Sequence, residues 1–522
     1  MMLVYKYRNF YEMVEANAKL IPNKTALFID KRKVSNLRLK EKVDTFARFL
    51  EFSAVKNGDK VAIIVANSEE FIVSFLAITK IGAVAVPINT FLKYEELAYI
   101  VQDSDSKLVI SSPDLCDETK NLLNIPRVEK IVWTGKYEKL DEKNYSFLEI
   151  TNSMETHEQI SNPPNLNDLA CIIYTSGTTG KPKGAMLTYR NMFSNMVAGD
   201  EVFNITGKDR FIVYLPMFHS FTLTIMVLLP LYAQSSLIIV KSIFPFSNVL
   251  KQTLLKGVTI FLGAPAVYNA MLKAKIPWYF MFFNKIRLFI SGSAPLSQQA
   301  IDDFAIKFKK ATLLEGYGLS ECSPAVAVNR QELQKPLSVG PALPSYEIKI
   351  VNDEMMELPL GEVGEVIVRG DCVMKGYYNR PDATDETIVN GWLLTGDLGK
   401  MDEDGYLYIV DRKKDLIISK GINIYPREIE ELLYKYEGIE ACAVIGVKDK
   451  SADEDVLAFI QTKDGVDEIP EKLLRKYLKS HLANFKIPKQ FYTVEELPKN
   501  ATGKVLKRVL KDEVAKGKFK LK

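Results

Sequence analysis

The chain has 522 residues, 47% hydrophobic and 25% charged, an ordinary balance for a soluble globular protein long enough for more than one domain. Its 68 lysines and arginines against 65 acidic residues leave a net charge of +3, too even for a nucleic-acid binder. Five dispersed cysteines (Cys116, Cys171, Cys322, Cys372, Cys442) make no CxxC pair, which argues against a metal cluster or disulfide framework and fits a reducing cytoplasm.

The start, Met1 to Arg8, has no apolar core of signal-peptide length before charge returns. Residues 9–160 alternate helical and strand patterns. Lys60 to Val65 reads as a buried strand, Glu69 to Ile81 as a helix, and Gly82 to Pro87 as a second strand. This βαβ rhythm predicts a parallel, helix-covered sheet. A polar stretch, Thr151 to Asn167, leads to a further short apolar strand, Leu169 to Ile173.

Four hydroxyls (Thr175, Ser176, Thr178, Thr179), three glycines (Gly177, Gly180, Gly184) and two lysines (Lys181, Lys183) then fall within ten residues. Glycines let backbone N–H groups turn onto an anion, hydroxyls donate further hydrogen bonds, and lysines balance charge, so this loop is built to hold a polyphosphate. It is not a Walker A loop: two residues separate Gly177 from Gly180, and Pro182 follows Lys181.

The most apolar region, Phe211 to Val240, is broken by Pro216, His219, Pro230 and Gln234 and falls short of the roughly 20 apolar residues of a spanning helix. His219 there reads either as a satisfied core residue or as a site group. Phe261 to Pro265 and Leu288 to Pro295 are strand-then-turn units, and ligands bind at strand carboxyl ends in α/β sheets. Gly292, Ser293 and Ala294 are small enough for a flat ring to lie on backbone. Between these units, Trp278 to Phe283 either packs in the core or lines or covers an apolar channel. After a third apolar run, Ala311 to Leu314, Tyr317 between two glycines suits stacking on a purine, and Glu321 offers a hard oxygen for Mg²⁺.

From about Gly340 the pattern turns antiparallel, with Glu362 to Arg369, Trp392-Leu393 and Gly405 to Val410 as strands. Asp397 is placed at a tight turn, where a carboxylate can take both hydroxyls of a ribose. Met401 to Gly405 resembles a calcium loop but lacks its later ligands, and reads as a hairpin turn. Asp411 to Asp415 is a charged knot between strands, and Ile422 to Glu430 runs from a loop into an acidic helix start. The last ~100 residues read β–α–β and are of small-domain size. The basic tail Lys511 to Lys522 is expected to be disordered.

The stretch Tyr174 to Gly184 resembles the phosphate loop of the adenylate-forming superfamily, which holds acyl- and aryl-CoA synthetases, peptide-synthetase adenylation domains and beetle luciferases. The other motifs follow in that family's order from about residue 10 to 510, a concordance across many segments. The resemblance implies an α/β fold. A large N-terminal domain (1–411) would carry two parallel helix-covered sheets and a small β-barrel-like part, and a small mobile α+β C-terminal domain (412–522) would pivot near Lys414. It implies ATP and AMP binding by Thr175, Ser176, Gly177, Thr178, Thr179, Gly180 and Lys183 at the phosphates. Gly292, Ser293, Ala294, Glu315, Gly316, Tyr317, Gly318 and Ser320 would meet the nucleoside, with Asp397 and Arg412 near its ribose. The family's usual Thr at position 320 is Ser here, and the hydroxyl is kept.

Catalysis is implied for Lys504, placed after a Pro-x-x-x-x-Gly run, for Glu321 with Thr175 as the Mg²⁺ ligands, and for His219 at the mouth of the acid pocket. Lys420 and Gly421 would line the CoA passage. The implied reaction is R-COO⁻ + ATP → R-CO-AMP + PPi, then R-CO-AMP + CoA → R-CO-S-CoA + AMP, that of an acid–thiol ligase. Amino-acid-activating relatives carry an Asp early in the pocket, whereas Phe218 to Leu223 has no carboxylate. Met217 to Pro295 most resembles bacterial long-chain fatty acid–CoA ligases, so the implied acid is a medium- or long-chain fatty acid, with an aryl acid as the alternative. An acyl carrier protein as acceptor, or a non-catalytic acid-binding scaffold, are the rival classes. Small-molecule partners (fatty acid, ATP, CoA), a cytoplasmic location with peripheral contact at the inner membrane face left open, and a monomer or homodimer complete the expectation.

Overall fold

The computed structural model describes residues 3–153, 163–175, 181–243, 245–292, 294, 296–419, 422–448, 454–463, 465–499 and 505–519. Two eight-stranded sheets dominate it. In the first, Lys60–Ile64, Val84–Pro87, Ser106–Ser111, Lys130–Trp133, Asn144–Ser146 and Leu169–Thr175 run parallel. Lys183–Thr188 then folds back antiparallel on Leu169–Thr175, and Gly376–Tyr377 adds to its outer edge. The second sheet has a parallel centre of Thr25–Ile29, Ser236–Ile239, Arg210–Val213, Ile260–Gly263, Leu288–Ser291 and Thr312–Gly318. Arg32–Ser35 and Ala325–Val328 cap it as antiparallel edges.

The central strands are unbroken Val, Ile, Leu and Phe because helices cover both faces. Val61, Ala62, Ile63 and Ile64 are all fully buried. The helix Glu69–Lys80 begins where Ser68 Oγ accepts the Phe71 N–H at 3.2 Å, and both its apolar and polar residues are buried between neighbours. One apolar core runs through both sheets and into the antiparallel sheet of Glu347–Val351, Gly364–Arg369, Ile388–Val389, Trp392–Met401 and Leu407–Arg412.

Residues beyond Ile417 have cores of their own. A sheet of Ile439–Lys448, Glu454–Thr462 and Gln490–Val494 alternates its side chains between two faces, as the period of two requires. Cys442 and Val444 face the helices Pro426–Lys435 and Glu471–Lys479 through Ile429, Leu433, Leu474 and Leu478. Ala443 and Ile445 face Lys507–Ala515 through Leu510 and Val514.

Three local readings need correction. The expected disordered tail starts inside the helix Lys507–Ala515, and Phe519 packs edge-on against Phe459: buried Leu510 and Val514 supply an apolar stripe that the lysines concealed. Asp397 lies within the ten-residue strand Trp392–Met401, not at a turn; Gly396, at φ +67°, kinks the strand there. Of Trp278–Phe283 only Phe280 is buried, with Met281 partly packed; Trp278, Tyr279, Phe282 and Phe283 are exposed and are not among the residues lining the main cavity. The Met401 to Gly405 segment is the expected hairpin turn, with Asp402 Oδ1 accepting from the N–H groups of Asp404 and Tyr406. Among the described residues no helix is long and apolar enough to cross a membrane.

Candidate active site

The carboxyl ends of the second sheet's strands meet the Thr175/Lys183 hairpin of the first across a cavity of about 1240 Å³. The cavity is lined by Ser291 and Gly292, by Gly316 to Glu321, by Thr175 and Lys183, and by Thr395, Gly396 and Arg412 to Lys414 of the antiparallel part. Leu506 and Arg508, from the C-terminal residues, also reach it.

Glu321 stands on the short turn Ser320–Cys322 and lines the cavity. Its Oε1 accepts the Tyr377 hydroxyl at 2.9 Å, and the Thr175 hydroxyl lies 3.4 Å from the same oxygen. Tyr377 was not anticipated from the sequence, since the edge pairing of Gly376–Tyr377 on Lys183–Thr188 is what delivers it. Burial and the Glu321 charge hold its phenol protonated, a donor at any working pH. Lys183 Nζ sits 5.3 Å from the Tyr377 ring centroid. A carboxylate keeps lone pairs beyond those two contacts, and Mg²⁺ is commonly held by one carboxylate, a hydroxyl and substrate phosphates. Glu321 and Thr175 therefore fit the ion expected from the sequence.

Ser320 Oγ lies 3.0 Å from Ser220 Oγ and so ties this turn to the segment bearing His219. His219 lines the cavity beside Phe218, with ring centroids 5.3 Å apart. Removal from water pulls its pKa below the usual histidine range, which leaves a neutral imidazole at pH 7.

Tyr317, Asp397 and Arg412 form a second triad. Tyr317 donates its hydroxyl to Asp397 Oδ2 at 2.7 Å, and Arg412 Nε is 3.1 Å from Asp397 Oδ1. Asp397 and Arg412 are direct partners in the strand ladder, so the backbone register sets the ion pair. Gly318 has to be glycine: a Cβ there would stand 1.9 Å from the Pro324 carbonyl oxygen. Gly292 lines the cavity; Ala294, Glu315 and Asp397 are not among its lining residues, though Asp397 is bonded to Tyr317 and Arg412, which are.

Glu315 is buried, accepts a long hydrogen bond, 3.4 Å, from the Leu296 N–H, and has a backbone hydrogen bond from Leu337 as well. Burial raises its pKa from 4.5 to about 7. A carboxyl whose folded pKa is raised favours the fold while protonated, and that contribution is lost as pH rises through the window from 4.5 to about 7. Glu315→Gln is therefore expected to remove about 3 kcal/mol of stability loss across that window. Denaturant melts of both proteins at several pH values check this; parallel pH curves would contradict it.

The remaining expected residues, Ser176 to Gly180, Ser293, Lys420, Gly421 and Lys504, lie outside the described residues. Their neighbours are informative. Leu506 and Arg508 line the cavity, while Ile418 and Ile422, near Lys420 and Gly421 in sequence, are exposed and are not among its lining residues.

From Phe218 and His219 an arm of the cavity follows the helix Tyr189–Phe203, whose Asn195, Gly199 and Phe203 recur every four residues on one face. Ile225 of the π-helical turn Thr222–Leu228, with Ala327, Val328 and Leu343, completes it. Asn195 adds little polarity, because its amide already donates to the Cys322 carbonyl at 2.9 Å and accepts from the Ala325 N–H at 2.6 Å. Among the described residues no charged side chain lines this arm.

Comparison with known proteins agrees with this geometry. The family profile of the AMP-binding enzymes matches residues 14–378, and that of the AMP-binding enzyme C-terminal domain matches residues 428–504. A long-chain-fatty-acid–CoA ligase of Escherichia coli O6:H1 is 32% identical over 98% of this chain and 96% of its own. A 2-succinylbenzoate–CoA ligase of Bacillus cereus is 34% identical over 95% of this chain and 97% of its own. The ATP-bound crystal structure of MatB from Rhodopseudomonas palustris, 31% identical, superposes with a TM-score of 0.88 over 97% of this chain and 98% of that one. The apo form of the same enzyme gives 0.78 over the same shares. The chain belongs to the AMP-binding, adenylate-forming enzymes, and is an ATP-dependent acyl- or aryl-CoA ligase that takes ATP and CoA as substrates.

Proposed function

We propose that the chain activates a medium- or long-chain fatty acid as its adenylate and passes the acyl group to CoA. The observation that carries this is the uncharged arm beside His219, walled by Gly199, Phe203, Ile225, Val328 and Leu343. An acid's carboxylate at His219 would leave its tail in that arm, where burial of each methylene contributes about 0.8 kcal/mol.

In the first half-reaction a carboxylate oxygen attacks the α-phosphorus of ATP and pyrophosphate leaves. Positioning and charge neutralisation carry most of such a displacement. The loop from Thr175 to Lys183 cradles the phosphates, Asp397 holds the ribose, Tyr317 stacks on adenine, and the ammonium of Lys504 meets the charge developing on the bridging oxygen. Held by Glu321 and Thr175, Mg²⁺ would neutralise the triphosphate. In the second half-reaction the CoA thiol sulfur attacks the acyl carbon and AMP leaves. The neutral His219 stands where the carboxylate and later the thiol meet.

We divide the chain at residues 411 and 412, with Lys414 as the pivot. The separate apolar clusters before and after this point support that division. Burial lowers the pKa of Lys414 from its usual range, with the Arg412 charge adding to it. Leu506 and Arg508 in the cavity wall, and the better superposition on the ATP-bound than on the apo relative, support an adenylating arrangement here. Thioester formation would then use a different face of the small domain, with Gly421 proposed to line the path of CoA.

A panel of acids in a CoA-dependent AMP-release assay tests the substrate. kcat/KM is expected to rise by up to about fourfold per methylene while the tail still enters the arm. Equal rates for acetate and decanoate would sink the fatty-acid reading. The identity with 2-succinylbenzoate ligases favours an aryl acid as the second reading, and benzoate outperforming decanoate would promote it.

A further inference from the structure

On the edge of the second sheet away from the active-site cavity, where its parallel strands begin, a concavity of about 520 Å³ gathers Lys24, Lys33, Lys208, Arg210 and Lys256. Among the described residues no carboxylate lines it. The neighbouring acid, Asp209, is turned away into an ion pair with Arg287 at 2.9 Å. Three of the five cations, Lys33, Arg210 and Lys256, lie 5.2–5.9 Å from the centroid of one buried ring, Phe28, which forms the floor. Lys24 is held by the carbonyls of Gly207 and Gln234, and Arg210 by that of Lys256, so these two cations are fixed in place. In a chain of net charge +3, five converging cations without a counter-charge form a field that an anion relieves.

The surface beside this concavity is apolar and aromatic. Leu255, on its rim, is 65% exposed. A side chain at Gly257 would come within 4 Å of both Arg210 and Lys285, which brings the segment that follows the helix Trp278–Phe283 near the concavity. On that helix Trp278 and Phe282, and Tyr279 and Phe283, are pairs at i, i+4 and share one outward face, 47–75% exposed. Phe280 anchors the opposite face in the core. Lys310 folds back over the Phe282 ring, 5.3 Å from its centroid. Tryptophan, tyrosine and phenylalanine flanked by lysines is the composition of an element that lies in a lipid headgroup layer.

We infer that this face is a docking surface for an anionic lipid bilayer: the five-cation concavity receives headgroup phosphates, and the ring face of Trp278–Phe283 enters the interface beside it. Charge complementarity selects anionic lipid, and the adjoining rings favour a bilayer over a free anion. Each cation engaged should strengthen binding about fivefold at low salt. The inference does not depend on which acid the enzyme activates.

The full chain would be co-sedimented with vesicles of phosphatidylcholine alone and with added phosphatidylglycerol. Binding is expected only to the anionic vesicles, reversed by high salt, with a blue shift of tryptophan emission that Trp278→Ser abolishes. Lys33→Glu with Lys208→Glu, two exposed positions, should weaken vesicle binding at least ~10-fold, and Trp278→Ser with Phe282→Ser should do likewise. Both pairs should leave acid-dependent pyrophosphate exchange unchanged, which shows that the fold is intact. Wild-type protein that ignores anionic vesicles, or variants that bind them as wild type does, overturns the inference. So does inorganic phosphate raising the melting temperature without vesicle binding, which would mark a soluble phosphate site. A dimer that Trp278→Ser with Phe282→Ser turns into monomer would assign the rings to a second copy of the chain instead.

Discussion

Replacing Lys504 with alanine is expected to lower acid-dependent exchange of pyrophosphate into ATP on the order of 10²–10³-fold, the usual effect of removing one charge-stabilising donor from a transition state. The same variant should convert chemically supplied acyl-AMP and CoA to thioester at a near-normal rate. Leu506 and Arg508, which follow Lys504 in the chain, line the cavity, and this supports the proposal that the lysine serves adenylation. Gly421→Leu should invert the result, adenylating normally while the added side chain obstructs the thiol's path. The measurement is each half-reaction on each variant, run separately. Equal depression of both steps in both variants would mean that the substitutions act through folding, and an alternating C-terminal domain would lose its support.

Glu321→Gln is expected to lower pyrophosphate exchange by ~10²-fold and to shift the Mg²⁺ dependence to higher concentration. Glutamine keeps the size and an oxygen that can still accept from Tyr377 and Thr175, 2.9 and 3.4 Å away in the parent, so the turn Ser320–Cys322 should hold. The melting temperature should therefore change little, since substitutions without cavity or strain stay within about 0.5 kcal/mol. Tyr377→Phe gives a useful contrast: it frees one lone pair of Glu321 without removing charge, and its effect should be far smaller. Full activity of Glu321→Gln at limiting Mg²⁺ would withdraw the ligand role from this carboxylate.

Much of this could be read along the chain. The strand Leu169–Thr175 and the helix Glu69–Lys80 follow from local apolar patterning, and the buried parallel strands from unbroken Val and Ile runs. The motif residues were legible because the groups that act together there are neighbours in sequence, and a short loop needs only its own backbone geometry to present them. Where a local pattern was ambiguous, the reading went astray. Six successive apolar residues from Trp278 to Phe283 contain no polar position to say which face is buried, and lysines around Leu510 and Val514 masked a two-residue stripe. Asp397 looked like a turn residue because Gly396 breaks the alternation of its strand.

What sequence by itself determined, then, was the set of chemical groups and the order of the motifs that carry them, since both are properties of short segments. Only the tertiary structure decided which groups meet. Thr175 and Glu321 are 146 residues apart, Tyr317 and Asp397 are 80 apart, and Tyr377 reaches Glu321 across 56. Those contacts exist because two sheets and an antiparallel unit pack around one core, which brings three strand ends to a common edge. The outward face of Trp278–Phe283 and its neighbouring five-cation concavity are likewise products of packing: burying Phe280 and Phe28 fixes which side of each element is left facing outward.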